Sequence, residues 1–175
     1  MRMEFVQGPG INFNEHLERM VLQYEKDLLR ICYIYLRDAA LVQDAVQETF
    51  LRAYQNIHSF RAECSEKTWL MRIAMNVCKD FRKSAWYRFV DRRVSLDHLS
   101  IPTAPPSLEQ ITLTSEIMKL PRKHMEVVLL YYYQDLNTRE IAEVLNITPS
   151  AVSDRLSKAR SRLRVSLRGD EIHEK

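Results

Sequence analysis

A chain of 175 residues can hold one large or two small domains, and its 26 Lys and Arg against 23 Asp and Glu leave a formal net charge of only +3. That near-balance excludes a binder that works by bulk positive charge, while permitting basic patches offset by acidic ones. Three Gly, 46% hydrophobic residues and few alternating stretches point to an all-helical chain.

The first 14 residues lack the apolar run of a signal peptide, and no stretch approaches the length of a membrane span. From Phe13 to Arg37 apolar residues recur at helical spacing: Leu17, Met20, Val21, Tyr24, Leu28, Ile31, Cys32 and Tyr35. Asp38 and the two alanines after it read as a short break. A second helix is expected from about Leu41 to Ile57, burying Val42, Ala45, Val46, Thr49, Phe50 and Ala53. The loop "HSFRAECSEK" follows, and Ser65 can cap a third helix from Glu66 to about Lys83. Its buried side is expected to hold Trp69, Leu70, Ile73, Ala74, Val77 and Phe81. Beyond it lie Arg82, Arg88, Arg92 and Arg93, interleaved with Trp86, Tyr87 and Phe89.

Composition then changes. "SLDHLSIPTAPPS", residues 95–107, holds three prolines, which restrict helix formation and leave an extended linker. Ser107 and Gln110 make a capping-box pattern that opens a helix over about Leu108 to Lys119. Pro121 starts the next, with a stripe of Met125, Val128, Leu129 and Tyr132. Asn137 and Glu140 form another capping box, and Asn146 suits a turn. Thr148 is a good N-cap and Pro149 a good first helical residue. Val152, Leu156, Ala159 and Leu163 mark the buried stripe of the last helix. Its exposed side carries Ser153, Asp154, Ser157, Lys158 and Arg162, and no acid falls among Arg155, Lys158, Arg160, Arg162, Arg164 and Arg168. The pair reads as a helix–turn–helix with a basic second helix, the arrangement that enters a DNA major groove. A merely solvated basic helix is the alternative.

Cys32, Cys64 and Cys78 lie far apart, no CxxC occurs, and the five His supply no HxxxH pair. No metal and no cofactor is expected, and the thiols read as reduced, with Cys32 and Cys78 as core packing. There is no Gly-rich phosphate loop, nucleophile motif or paired-carboxylate signature, so an enzyme is not expected.

Three stretches in order, "QDAVQETFLRAYQNIHSF" (43–60), "KTWLMRIAMNVCKDFRK" (67–83) and "LPRKHMEVVLLYYYQDLNTREIAEVLNITPSAVSDRLSKARSRLR" (120–164), together with the Pro-bearing linker, resemble bacterial σ70-family sigma factors of the extracytoplasmic-function (ECF) group. The resemblance covers roughly residues 13–168. It implies an all-α protein of two helical domains. Residues 13–94 would form a core-polymerase-binding and −10 domain, 95–107 the linker, and 108–168 a helix–turn–helix domain for the −35 element.

The residue roles it implies fall in three groups. The amide-rich and acidic helix around Asp44 would dock on the β′ clamp of core RNA polymerase through Asp44, Gln47, Glu48 and Arg52, with the β subunit as a further contact. Phe60, Arg61, Ser65, Arg72, Asn76, Lys79 and Lys83 would hold the melted −10 strand. There basic residues track phosphates, aromatics stack on bases and an amide can read a base edge. Ser153, Asp154, Arg155, Ser157, Lys158, Arg160 and Arg162 would contact the −35 element.

Two departures stand out. Ala62 occupies a position where relatives usually carry Gly after "FR". Asp154 lies where relatives commonly have a basic residue; it can accept from a cytosine amino group or, as the preferred reading, pair with Lys158. The resemblance further implies a cytoplasmic protein and an anti-sigma partner, in many relatives membrane-anchored. A stand-alone helix–turn–helix regulator is the competing function.

Overall fold

The computed structural model describes residues 13–60, 63–84 and 108–170. Arg61, Ala62, the aromatic and basic stretch 86–93, the linker 95–107 and the Ser107 cap lie outside them. The described residues form seven helices, counting the π turn with the helix it extends, and no strand.

α1 (Phe13–Leu36) buries Met20, Tyr24, Leu28, Ile31 and Tyr35, one residue per turn on a single stripe. It ends as Arg37 turns left-handed at φ 59°, its N–H reaching the Tyr33 carbonyl at 2.8 Å. α2 (Ala39–Asn56) begins two residues earlier than the apolar pattern suggests. Asp38 is a cap rather than part of a break: its Oδ1 accepts from the N–H of Ala40 and Leu41. A short 3₁₀ turn (Ile57–Ser59) leads out of α2. α3 (Glu66–Lys83) is capped as expected, Ser65 Oγ accepting from Thr68 N–H at 3.0 Å. Leu70, Ala74 and Val77 are buried, whereas Trp69, Ile73 and Phe81 are only half-buried at the edge of the stripe. Cys32 and Cys78 lie fully buried, their sulfurs 3.5 Å apart across the α1–α3 contact.

α4 (Leu108–Lys119) is tied to the last helix through buried Glu116, which accepts from Lys119 and from Ser166. Those two donors hold its carboxyl below the ordinary range. α5 (Arg122–Val128) does not end as an α-helix: Leu129–Tyr133 wind as a π turn. The wider winding shifts the helical phase of its residues. Tyr132, expected on the buried stripe with Met125, Val128 and Leu129, is therefore 52% exposed. Asp135 at φ 54° closes the turn, with Leu136 N–H on the Leu130 carbonyl.

α6 (Thr138–Leu145) opens on a complete capping box. Asn137 Oδ1 accepts from Glu140 N–H, and Glu140 Oε2 accepts from Asn137 N–H at 2.9 Å. Asn146, left-handed at φ 54°, makes the turn into α7 (Pro149–Asp170). α1, α2 and α3 pack on one another, and α5, α6 and α7 do likewise; α3 also packs against α6, and α1 against α4 and the π turn. The two sets of helices thus share a boundary made by α1 and α3 on one side and α4 to α6 on the other.

Candidate nucleic-acid interface

Thr148 Oγ1 accepts from Ala151 N–H at 3.2 Å and starts α7. Val152, Leu156 and Ala159 seat it on the helices below, with Leu163 half-buried. Helical spacing then divides its outer side. Ser153, Ser157 and Arg160 run along one flank. Asp154 and Lys158 form the crest, and Arg155 and Arg162 the other flank. All are exposed except half-buried Arg155.

Four of these side chains already have partners. Lys158 Nζ donates to Asp154 Oδ2 at 2.8 Å, which holds the Asp154 carboxyl below its ordinary value. Ser153 Oγ donates to the Pro149 carbonyl at 3.1 Å. Arg160 Nε donates to Tyr132 Oη at 2.8 Å, and its guanidinium lies 5.5 Å from the Tyr131 ring centroid and 5.7 Å from that of Tyr132. The π turn that exposes Tyr132 thereby fixes a cation of the helix above it. Neither tyrosine stood out in the sequence, because an α-helical projection puts Tyr132 inside.

Below the opposite flank, His124 is 3% exposed, and neither ring nitrogen has a hydrogen-bond partner among the described residues. Burial, then the charges of Arg162, Lys123, Lys158 and Arg155, push its pKa down.

The residues expected at the melted strand do not all come together. Phe60 packs against Trp69 with ring centroids 5.3 Å apart and the rings tilted by 44°. An open cleft of about 230 Å³ lies between α2 and α3, lined by Arg52, Asn56, Trp69, Ile73 and Asn76. Asn76 is exposed on its rim, with Lys79 half-buried one turn on and Lys83 exposed beyond. Ser65 is spent on its cap. Arg72 points away from the cleft, its Nη2 3.6 Å from Glu143 Oε2 of α6. Asn56 was not singled out in the sequence, and Ile73 was assigned only to the buried side of α3; its i, i+3 relation to Asn76 was the available signal.

On α2, Asp44 and Gln47 are exposed and Glu48 half-buried. Arg52, grouped with them by the family resemblance, turns toward α3. Its Nε donates to Glu48 Oε1 at 2.6 Å and its Nη1 to Asp80 Oδ2 at 2.9 Å. Leu51 and Tyr54, 50% and 40% exposed, join the Asp44–Gln47 face and give it an apolar component that the polar reading left out.

Residues 20–88 match the family described as Sigma-70 region 2, and residues 111–163 match Sigma-70, region 4. The chain is 35% identical over 159 residues to the ECF RNA polymerase sigma factor SigW of Bacillus subtilis, covering 83% of this chain and 85% of that protein. It is 29% identical to the ECF RNA polymerase sigma factor SigM of the same organism, covering 85% and 93%. Among solved structures, it resembles CnrH in complex with the cytosolic domain of CnrY at a TM-score of 0.69 and 25% identity, over 90% of each chain. The sigma factor RpoE from Bartonella quintana, solved with the anti-sigma factor NepR, has the same helical fold at a TM-score of 0.72 and 20% identity, over 88% and 98%.

Proposed function

This chain belongs to the extracytoplasmic-function group of σ70-family RNA polymerase sigma factors, and from that premise we propose how its surfaces divide the work of initiation. The protein directs RNA polymerase to specific promoters; the polymerase, not this chain, makes the phosphodiester bonds. In our reading residues 13–94 dock on polymerase and capture the −10 strand, 95–107 link, and 108–168 read the −35 element.

The exposed α2 face of Asp44 and Gln47, with Glu48 beside it and Leu51 and Tyr54 exposed on it, meets the β′ clamp. Mixed apolar and acidic surface of that kind suits a partly basic, partly apolar helix pair. The α2–α3 cleft takes the unpaired −10 strand: Phe60 and Trp69 supply aromatic surface, Asn76 a donor and an acceptor, and Lys79 and Lys83 charge for phosphates. Ser65, on the preceding loop, and Arg61, outside the described residues, belong to the same reading.

α7 enters the major groove of the −35 element. Arg155, Lys158 and Arg162 face one backbone, Arg160 is steadied by Tyr132, and Ser153, Asp154 and Ser157 are nearest the bases. An anti-sigma partner belongs to the same reading, since the 25%-identical CnrH was solved with the cytosolic domain of CnrY. We propose a cytoplasmic location, where polymerase works. Among the described residues no helix is long and apolar enough to cross a membrane.

The observation that carries the assignment is a capped, basic α7 on the same chain as the α2–α3 cleft, which a stand-alone regulator has no use for. Electrophoretic mobility shift with promoter duplex tests it. Weak binding by the chain alone and tight, sequence-selective binding once core polymerase is added is expected. Tight palindromic binding by the chain alone would instead establish the regulator.

A further inference from the structure

The crest of α7 carries one charge of each sign. Lys158 and Asp154, their side chains 61% and 58% exposed, sit one helical turn apart, and Lys158 Nζ donates to Asp154 Oδ2 at 2.8 Å. On one side of them Arg155 is half-buried, and on the other Arg160 is held by Tyr132. Ser153, next to Asp154, gives its hydroxyl proton to the Pro149 carbonyl. A carboxylate and an ammonium, side by side, are thus what the crest presents.

A recognition helix in the major groove turns its N-terminal part to the base edges. Asp154 lies in the second turn of α7, and the Lys158 chain, one turn on, reaches back toward it as helical side chains lean toward the N-terminus. Lys158 also keeps the Asp154 carboxyl below its ordinary pKa, so at neutral pH it is an acceptor only.

Every base pair sets an amino donor beside a carbonyl acceptor in the major groove. The two are Watson–Crick partners, about 2.9 Å apart. The 2.8 Å between Lys158 Nζ and Asp154 Oδ2 fits that separation. The neighbours of those two atoms then decide between the base pairs. In C·G the cytosine N4 donor has a ring C–H beside it, and guanine O6 is followed by a second acceptor, N7. In A·T the adenine N6 donor has N7 beside it, which repels a carboxylate, and thymine O4 has a methyl group beside it, which offers an ammonium nothing. A reversed G·C sets both guanine acceptors under the carboxylate. One base pair, in one orientation, suits both side chains.

We propose that Asp154 and Lys158 act together as the reader of a single C·G base pair in the −35 element, Asp154 accepting from cytosine N4 and Lys158 donating to guanine O6 and N7. This rests on α7 being the −35 helix, and it gives Lys158, on the crest, a base edge in place of the backbone it was assigned with Arg155 and Arg162. An exposed ion pair stabilises little, so both side chains can turn to the bases at small cost.

The test uses holoenzyme, the full-length chain on core polymerase, with a duplex promoter library randomised across the −35 element. Bound and transcribed sequences are counted. The wild type is expected to favour C·G about tenfold or more over the other pairs at one position. Asp154→Asn is expected to move that preference to A·T, adenine taking the place of cytosine, because an amide pairs with adenine N6 and N7. Lys158→Ala is expected to relax the same position to within about threefold and to leave the others unchanged. Circular dichroism at the wild-type level shows that each variant is folded.

Variants that weaken binding to all sequences alike, with the preferred sequence unchanged, overturn the reader and return Lys158 to the backbone. Relaxation at two different base pairs overturns the joint reading of one. Arg155→Ala separates these failures from a deeper one. A salt slope that it lowers by about one unit places α7 on the DNA whatever its crest reads, whereas binding that none of the three variants alters marks a failure of the −35 reading itself.

Discussion

His124 is the residue whose chemistry is least at ease. It is buried below a helix flank rich in Arg and Lys, without a hydrogen-bond partner among the described residues, and its pKa is pushed down by burial first and by those cations second. A histidine whose folded value lies below its unfolded value leaves stability intact above about pH 6.5 and costs stability as pH falls, because the unfolded chain takes the proton that the folded one refuses. The urea midpoint should therefore fall as pH drops from 7.5 to 5.5, and His124→Leu should flatten that fall; an unchanged pH slope in the variant would show that other groups carry it.

The α7 residues divide similarly. Arg155→Ala or Arg162→Ala should weaken binding to all −35 sequences alike and lower the salt slope by about one unit, while a true base reader among Ser153, Asp154 and Ser157 should change the preferred sequence by roughly 1–3 kcal/mol per position. Transcription from a −35 library at two salt concentrations measures both. Asp154 sits at the centre of this contrast. Its pair with Lys158 is exposed, and such pairs stabilise little, so DNA can part them at small cost. The Asp154–Lys158 pair was legible from i, i+4 spacing. The Arg160–Tyr132 bond was not, because it depends on a π turn that no period in the sequence announces.

At the scale of elements, capping chemistry was the most legible feature. Ser65, Asn137 and Thr148 each cap the helix the sequence assigned to them, because a short polar side chain before an apolar run has few better uses. Asp38 was misread because two alanines carry no periodic signal, although alanine is the strongest helix former. Thr148→Ala should cost about 1 kcal/mol by loss of the cap, read as a lower urea midpoint with an unchanged slope on denaturant.

On α2, the Glu48–Arg52–Asp80 chain binds α2 to α3, so Glu48 serves packing as well as any partner. A clean test of the polymerase face therefore changes Asp44 and Gln47 instead. Asp44→Arg with Gln47→Arg should abolish capture of core polymerase in a pull-down while helicity by circular dichroism stays at the wild-type level. A folded double variant that still captures polymerase at full yield would move the docking surface elsewhere.

For the molecule as a whole, the order of helices and the change of composition near the prolines were readable, because local patterning specifies them. How the two helix sets meet was not. The Tyr35–Glu126 bond joins residues 91 apart, and nothing near either one hints at the other. The candidate sites share that limit: Arg72 and Arg52 were recognised as cations on the right helices, but their directions are set by Glu143, Glu48 and Asp80 across tertiary contacts.

The central claim, that this chain gives core polymerase its choice of promoter through two linked DNA readers, has one most direct measurement. Purified full-length chain is added to sigma-free core polymerase on genomic DNA, and the 5′ ends of the transcripts are sequenced. The account predicts discrete start sites that share upstream −10 and −35 sequences, absent with core alone and lost when Asp44→Arg and Gln47→Arg are combined. Transcripts identical to those of core alone, from a chain shown to be folded, would contradict it.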